Sequence, residues 1–254
     1  VHKHFGHSAK GLPLASIEEV FQEVEAGNAD FGVVPVENSG QGTIQSTLDM
    51  FLTSSLKICG EVELGIHQYL LGRTGRIEDI ERVYAHPQSL AQCKAWLRAN
   101  LPKAELVPTP SNADAARRAR NADDAAALAG ESAGHVYGLK TIAGPANDRA
   151  DNTTRFLVLG RELLPTCGHD RTSLLVFVND QPGALFGILK PFADVGLSLN
   201  RIESRPAHTR RWEYAFFIDV SGHVDQPEMQ AALQQLGAFA STVKILGSYP
   251  VAVL

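Results

Sequence analysis

The chain has 254 residues, a formal net charge of −5, and 44% hydrophobic against 20% charged residues, the composition of an ordinary globular protein of about two domains. That charge gives no electrostatic case for nucleic acid, whose binding usually requires a basic face. Three scattered cysteines, Cys59, Cys93 and Cys167, with no C-x-x-C pair, argue against a disulfide framework or structural zinc site and fit a reducing cytoplasm, the expected location.

No apolar run reaches the roughly 18 residues of a membrane span, and no signal peptide is visible, so no membrane partner is expected. The opening VHKHFGHSAK lacks an initiator methionine and reads as the tail of a helix, so a preceding segment is expected. Ser16 followed by Glu19 is a capping box, and Ile17, Val20, Phe21 and Val24 recur at helical spacing until Gly27-Asn28 stops the helix. FGVVPV then reads as a buried strand, followed by polar Glu37-Asn38-Ser39 and a helix over Thr43–Leu52. Lys57 to Gly72 is long and apolar, an extended segment crossing between two lobes.

RVYAHPQSLAQCKAWLRANL predicts a strand and then a helix with Pro87 in its first turn. AELVPTPSNADAARRAR repeats the scheme with Ser111 or Asn112 as N-cap, and AAALAGESAGHVYGL runs a small-residue strand into a helix. ADNTTRFLVLG returns the chain to a strand at Phe156–Leu159. Such nested α/β units, with one crossing out and one back, suggest two lobes and an interlobe cleft. After a linker at residues 161–171, the order strand, helix, strand, strand, helix, strand is the split βαβ, ferredoxin-like arrangement.

Each candidate site has a plainer reading beside it. Glu37-Asn38-Ser39 follows a strand end, where open α/β sheets place ligands, but Asn38 or Ser39 could simply cap a helix. Gly40 and Gly42 favour the ligand reading, since glycines let backbone N–H groups approach an anion. His86 reads as a turn residue before Pro87, and Gln92 as an amide at least one turn into the helix, in need of a partner. Thr154 and Arg155 pair a hydroxyl donor with a planar fork suited to a carboxylate, against a surface arginine paired with Asp151. Gly183-Ala184-Leu185-Phe186 offers free helix N–H groups, and Glu203-Ser204-Arg205-Pro206 reads as a charged strand exit. There is no Gly-rich nucleotide loop, nucleophile elbow or metal-spaced cluster, so neither cofactor nor metal is expected.

Taken in order, GVVPVENSGQGTI, AHPQSLAQC, NTTRFLVL, PGALFGIL and IESRP cover nearly the whole chain, which resembles prephenate dehydratase with a C-terminal ACT regulatory domain. It is also similar to the dehydratase part of bifunctional enzymes that carry an N-terminal chorismate mutase domain. The resemblance implies an α/β fold with a two-lobed, periplasmic-binding-protein-like catalytic domain at residues 1–160, lobe I about 1–64 and 142–160, lobe II about 65–141. A linker at 161–171 and a ferredoxin-like ACT domain at 172–254 follow.

It further implies a decarboxylating dehydration of prephenate to phenylpyruvate in phenylalanine biosynthesis, without cofactor. Thr154 would donate to the departing hydroxyl and Glu37 feed a proton to the hydroxyl network. Asn38, Ser39 and Gln92 would position substrate, Arg155 would receive a carboxylate or organise the Thr154 loop, and Phe156 would support packing. L-Phenylalanine, as effector, would bind at Gly183, Ala184 and Leu185 with Glu203, Ser204, Arg205 and Pro206, between ACT domains of a homodimer or homotetramer. Two departures stand out. The family's opening strand and Gly-Pro-x-Gly-Thr-Phe-Ser-like loop do not occur in this sequence, which implies little or no activity without them. Ala85 stands where some relatives carry serine. A non-catalytic, amino-acid-sensing two-lobed module is the alternative; an ACT-bearing transcription regulator would need a basic helix-turn-helix, which is absent.

Overall fold

The computed structural model describes residues 1–6, 8–206 and 213–252. The chain forms two compact units, Val1–Leu64 with Thr154–Leu254, and Gly65–Thr153.

The first unit begins with the one-turn helix α1 (His2–Phe5) and continues with α2 (Ile17–Glu25), β1 (Gly32–Asn38), β2 (Gly42–Thr43), α3 (Gln45–Thr53) and β3 (Lys57–Gly65). Ser16 caps α2 as its sequence predicts, while Glu19 reaches one residue beyond the N-cap instead of closing the capping box. Ser16 Oγ accepts from Glu19 N–H at 3.1 Å while the Glu19 carboxylate accepts from Ala15 N–H, and Phe21 and Val24 are fully buried. Thr43 is not the start of α3. Gly42 adopts φ +78, which lets β2 fold back so that Thr43 pairs with Glu37.

The second unit contains β4 (Tyr69–Gly72), β5 (Arg82–Ala85), α4 (Pro87–Gln92), α5 (Lys94–Asn100), β6 (Glu105–Pro108), α6 (Asn112–Ala119), β7 (Ala125–Ala129), α7 (Glu131–Tyr137) and β8 (Lys140–Ala143). Its sheet runs β6-β5-β7-β4-β8, with β5 parallel to both β6 and β7. Residues 142–153, expected in the first lobe, lie in this unit, where β8 pairs with β4. The helix expected from Pro87 breaks at Cys93. Asp148 explains the break, because its carboxylate accepts from Ala95 and Trp96 N–H at 2.9 Å and so caps α5.

The chain returns through β9 (Thr153–Gly160), longer than the predicted strand, to complete the sheet β2-β1-β9-β3. Then follow β10 (Asp170–Asn179), α8 (Ala184–Asp194), β11 (Leu199–Pro206), β12 (Glu213–Ser221), α9 (Pro227–Leu236) and β13 (Thr242–Pro250). Their antiparallel sheet, β11-β12-β10-β13, is the ferredoxin-like order.

Strand alternation gives this sheet two apolar faces. Leu174, Val176, Ile218 and Val220 share a core with Ile188, Phe192 and Met229 of the two helices. Leu175, Ala215, Phe217 and Leu246 point the other way, into a core shared with Val34, Val36, Phe51, Ile58 and Leu157. The C-terminal sheet is therefore built onto the β1/β9 sheet through a common apolar layer.

Candidate active site

Antiparallel pairing sets Asn38 of β1 opposite Thr154 of β9, and Glu37 opposite Arg155. Side chains alternate along each strand, so the two pairs occupy opposite faces. A bulge between Pro35 and Glu37 precedes this arrangement.

On one face, Asn38 and Thr154 are 6% and 8% exposed. The Asn38 amide donates to Thr154 Oγ1 at 2.8 Å, and its Oδ1 accepts from Gly40 N–H at 2.9 Å and Gln41 N–H at 3.2 Å. The turn glycine expected to offer an anion its N–H instead donates to Asn38. Thr154 Oγ1 is used as an acceptor, so its own proton remains available to a donor–acceptor hydroxyl. Ser39 is exposed on the same turn.

The opposite face carries charge. Glu37 lies 3.7 Å from Arg201 Nε, and its side chain is 42% exposed. It stands across the sheet from the Thr154 hydroxyl, contrary to the proton-feeding role expected of it, because adjacent residues of a strand cannot share a face. Thr43 donates to Glu203 and accepts from Arg201 Nη2 at 2.9 Å.

Arg155 is 10% exposed and fully engaged. Its Nε donates to Glu61 at 2.7 Å, Nη1 to Asp219 at 2.8 Å and Nη2 to Tyr249 at 3.1 Å. Burial opposes its charge, but Asp219, Tyr249 and Glu61 outweigh that and hold its pKa above the ordinary value. A guanidinium so committed organises the strand and has no fork left for a substrate carboxylate. Phe156, opposite Pro35, is partly buried beside it.

Gln92 belongs to the other unit, as the last residue of α4. Its carbonyl accepts from Asp148 N–H at 2.8 Å, and its side chain is half-buried. His86 caps α4 through Nδ1, which accepts from Gln88 N–H at 3.3 Å. Asn112, a candidate N-cap, leaves that role to Ser111 and instead joins His86 N–H, Ser89 and Gln68 in one polar cluster. Neither Ser89 nor Gln68 stood out in the sequence.

The effector candidates also divide. Gly183 is the N-cap of α8 at φ 80, exposed together with Leu185, while Ala184 is half-buried. Glu203-Ser204-Arg205-Pro206 forms the end of β11, paired with β12. Burial alternates along it, so Ser204 and Pro206 are exposed, whereas Glu203 contacts Thr43 and Arg205 Nε donates to Asp49 at 3.0 Å.

Glu61, Ser173, Asp219 and Tyr249 are the partners that the sequence reading missed. Acids within the apolar runs KICGEVELG (Glu61 and Glu63) and FFIDVSG (Asp219) were the available signal, since a buried charge requires a counter-charge.

Residues 1–163 match the family model described as prephenate dehydratase, and residues 172–238 match the ACT domain model. The bifunctional chorismate mutase/prephenate dehydratase of Stutzerimonas stutzeri is 49% identical over 253 residues, covering 99% of this chain and 69% of that protein. The crystal structure of prephenate dehydratase from Arthrobacter aurescens in complex with L-Phe superposes with a TM-score of 0.85 at 36% identity, over 94% of this chain and 80% of that one. GqqA, a protein described as a novel type of quorum-quenching acylase, superposes with a TM-score of 0.90 at 28% identity, over 99% and 93%.

Proposed function

The chain belongs to the prephenate dehydratase family, and on that premise we propose that the full-length protein converts prephenate to phenylpyruvate with Thr154 as the donor to the departing hydroxyl. Its fold is that family's two-lobed, periplasmic-binding-protein-like α/β domain followed by an ACT domain. The observation that carries the reading is the 2.8 Å hydrogen bond from Asn38 to Thr154 Oγ1, which occupies a lone pair and aims the hydroxyl proton elsewhere.

The reaction breaks the bond from C1 to its carboxylate, releasing carbon dioxide, and sends that electron pair into the ring. The C4–O bond then breaks, and the leaving oxygen takes up a proton to depart as water. Aromatisation supplies much of the driving force, so no nucleophile or cofactor is required. A threonine is a very weak acid, but a positioned O–H can stabilise charge growing on the leaving oxygen. Asn38 orients that donor, and Arg155 acts as the anchor of its strand. Ser39 and Gln92 are the remaining candidates for contact with substrate.

The acylase description belongs to GqqA. In this chain burial pushes the Cys59 thiol up and the Cys93 thiol up to about 12, the reverse of an activated nucleophile.

Regulation belongs to the same proposal. L-Phenylalanine is taken to bind at Gly183–Leu185 and the exposed Ser204 and Pro206 of β11, where a second ACT domain completes the site in a homodimer or homotetramer. Exposed Phe186 (69%) and Leu185 (44%) beside Gly183 support an interface there. An effector acts only by binding one global state better than another. The test of the whole reading is phenylpyruvate absorbance with full-length protein and prephenate. Absence of turnover together with phenylalanine binding would instead identify a non-catalytic sensor.

A further inference from the structure

The Arg155 guanidinium sits in a closed ring of hydrogen bonds whose direction can be assigned. Burial pushes the Tyr249 phenol well above its ordinary value, so it keeps its proton. Ser173 donates to Asp219 Oδ1 at 2.5 Å, and so the 2.7 Å contact between Ser173 and Tyr249 has the phenol donating to the serine oxygen. Tyr249 in turn accepts from Arg155 Nη2, and Asp219 Oδ2 accepts from Arg155 Nη1. Every link from Arg155 through Tyr249 and Ser173 to Asp219 therefore has one orientation.

Three of these four residues come from the C-terminal sheet, Ser173 from β10, Asp219 from β12 and Tyr249 from β13. Glu61 of β3 completes the cluster. Its Oε2 accepts from Arg155 and from Arg171 Nη1 at 2.6 Å, and its Oε1 accepts from Ala252 N–H at 2.9 Å. Glu61 is fully buried and Asp219 is 8% exposed. Two guanidiniums thus face two carboxylates, a balanced buried set that loses its balance if either acid is removed.

The geometry points to Asp219, a residue of the ACT sheet, as a positioning residue for the reaction, acting through Arg155 on the orientation of Thr154. Arg155 follows Thr154 directly, and the planar peptide between them fixes their α-carbons about 3.8 Å apart. With Nε, Nη1 and Nη2 each pointed at a different partner, the guanidinium can turn about its stem only by losing a buried charge-assisted bond. Strand pairing passes that restraint to the opposite face, where Thr154 meets Asn38. The catalytic strand is in this way held from the regulatory domain, and the donor's alignment depends on a carboxylate that never touches substrate. Tyr249 itself belongs to the core that the two sheets share.

The inference rests on Thr154 being the donor, and its test has one arm that does not require turnover. In full-length protein, Asp219→Asn keeps the side chain's shape and removes its charge. We expect kcat for prephenate to fall at least tenfold with KM within twofold, and the Thr154 methyl resonance, observed with methyl-labelled threonine, to shift. Asp219→Asn combined with Arg171→Gln restores charge balance in the cluster, so the melting temperature should recover while kcat stays low. Wild-type kcat in Asp219→Asn, or recovery of kcat along with melting temperature in the double variant, overturns the proposal. If wild-type protein fails to turn over prephenate, the functional reading falls. The Thr154 resonance then decides the positioning claim alone, and an unshifted resonance defeats it.

Discussion

The Asn38 carboxamide binds the Thr154 hydroxyl with its nitrogen and the backbone of its own turn with its oxygen. One side chain thereby ties the end of β1 to the start of β9 and sets which way the hydroxyl can donate. Thr154→Ala should abolish most activity, by about 100- to 1,000-fold in kcat, the range found when a single transition-state donor is removed. Thr154→Ser keeps an O–H and should retain more. Near-normal phenylpyruvate production by Thr154→Ala would remove the donor role.

Asn38→Ala deletes the partner of that hydroxyl and both acceptor contacts to Gly40 and Gln41. Leaving the buried Thr154 hydroxyl without that partner costs about 1–3 kcal/mol, whereas the exposed turn N–H groups can turn to water. The urea midpoint should drop accordingly, and kcat should fall more than the loss of folded protein explains. A drop in stability alone, with unchanged kcat per folded molecule, would reduce Asn38 to a turn residue.

Gly247 of β13 lies against β3 so closely that an added Cβ would stand 2.2 Å from the Ile58 carbonyl oxygen. Both groups are backbone, so neither can yield without moving a strand. Gly247→Ala should therefore destabilise the first unit by about 1–3 kcal/mol or more, the range for overpacking, as read from thermal or urea unfolding. An unchanged melting temperature would mean the two sheets separate more easily than their shared core suggests.

Alkaline pH should weaken the fold. Burial, with a smaller effect from Asp148, pushes the Cys93 thiol from 9.0 up to about 12. Because the folded value lies above the unfolded one, the stabilisation is complete below about pH 9 and is lost as pH rises toward 12. The raised phenol of Tyr249 acts with the same sign. Urea midpoints should decline between pH 9 and 11, and Cys93→Ala should make the decline shallower. Identical slopes for the two proteins would count against Cys93 as a source.

Phenylalanine binding by calorimetry should report on the outward side of β11 and on the start of α8. Ser204→Ala and Gly183→Val, the latter forcing a branched residue into φ 80, should each weaken affinity tenfold or more, about 1.4 kcal/mol. Unchanged affinity in both would refute the proposed effector site.

The sequence was informative where local rules decide the outcome. The Ser16 cap of α2, the Pro87 start of α4 and the βαββαβ order all follow from nearest-neighbour chemistry. Which face a residue takes does not, because it depends on register between distant strands. Glu37 and Asn38 are adjacent in the chain, yet one meets Arg201 and the other Thr154. For Arg155 the sequence left a carboxylate clamp, an organiser of the Thr154 loop and a surface ion pair with Asp151 all open, because its counter-charges, Glu61 and Asp219, lie 94 and 64 residues away in sequence. The break at Cys93 was equally hidden, since the carboxylate that causes it is Asp148.

The alternation of β11 carries a consequence for descent. Arg201, Glu203 and Arg205 grip β1, β2 and α3, while Ile202, Ser204 and Pro206 alternate with them and are exposed. Mutation can therefore change the outward residues, and what that face meets, while the mount stays intact. Deleting one residue would instead swap the roles of both sets at once. Change on that outward face should accordingly proceed by substitution along this strand, and hardly ever by a change in its length.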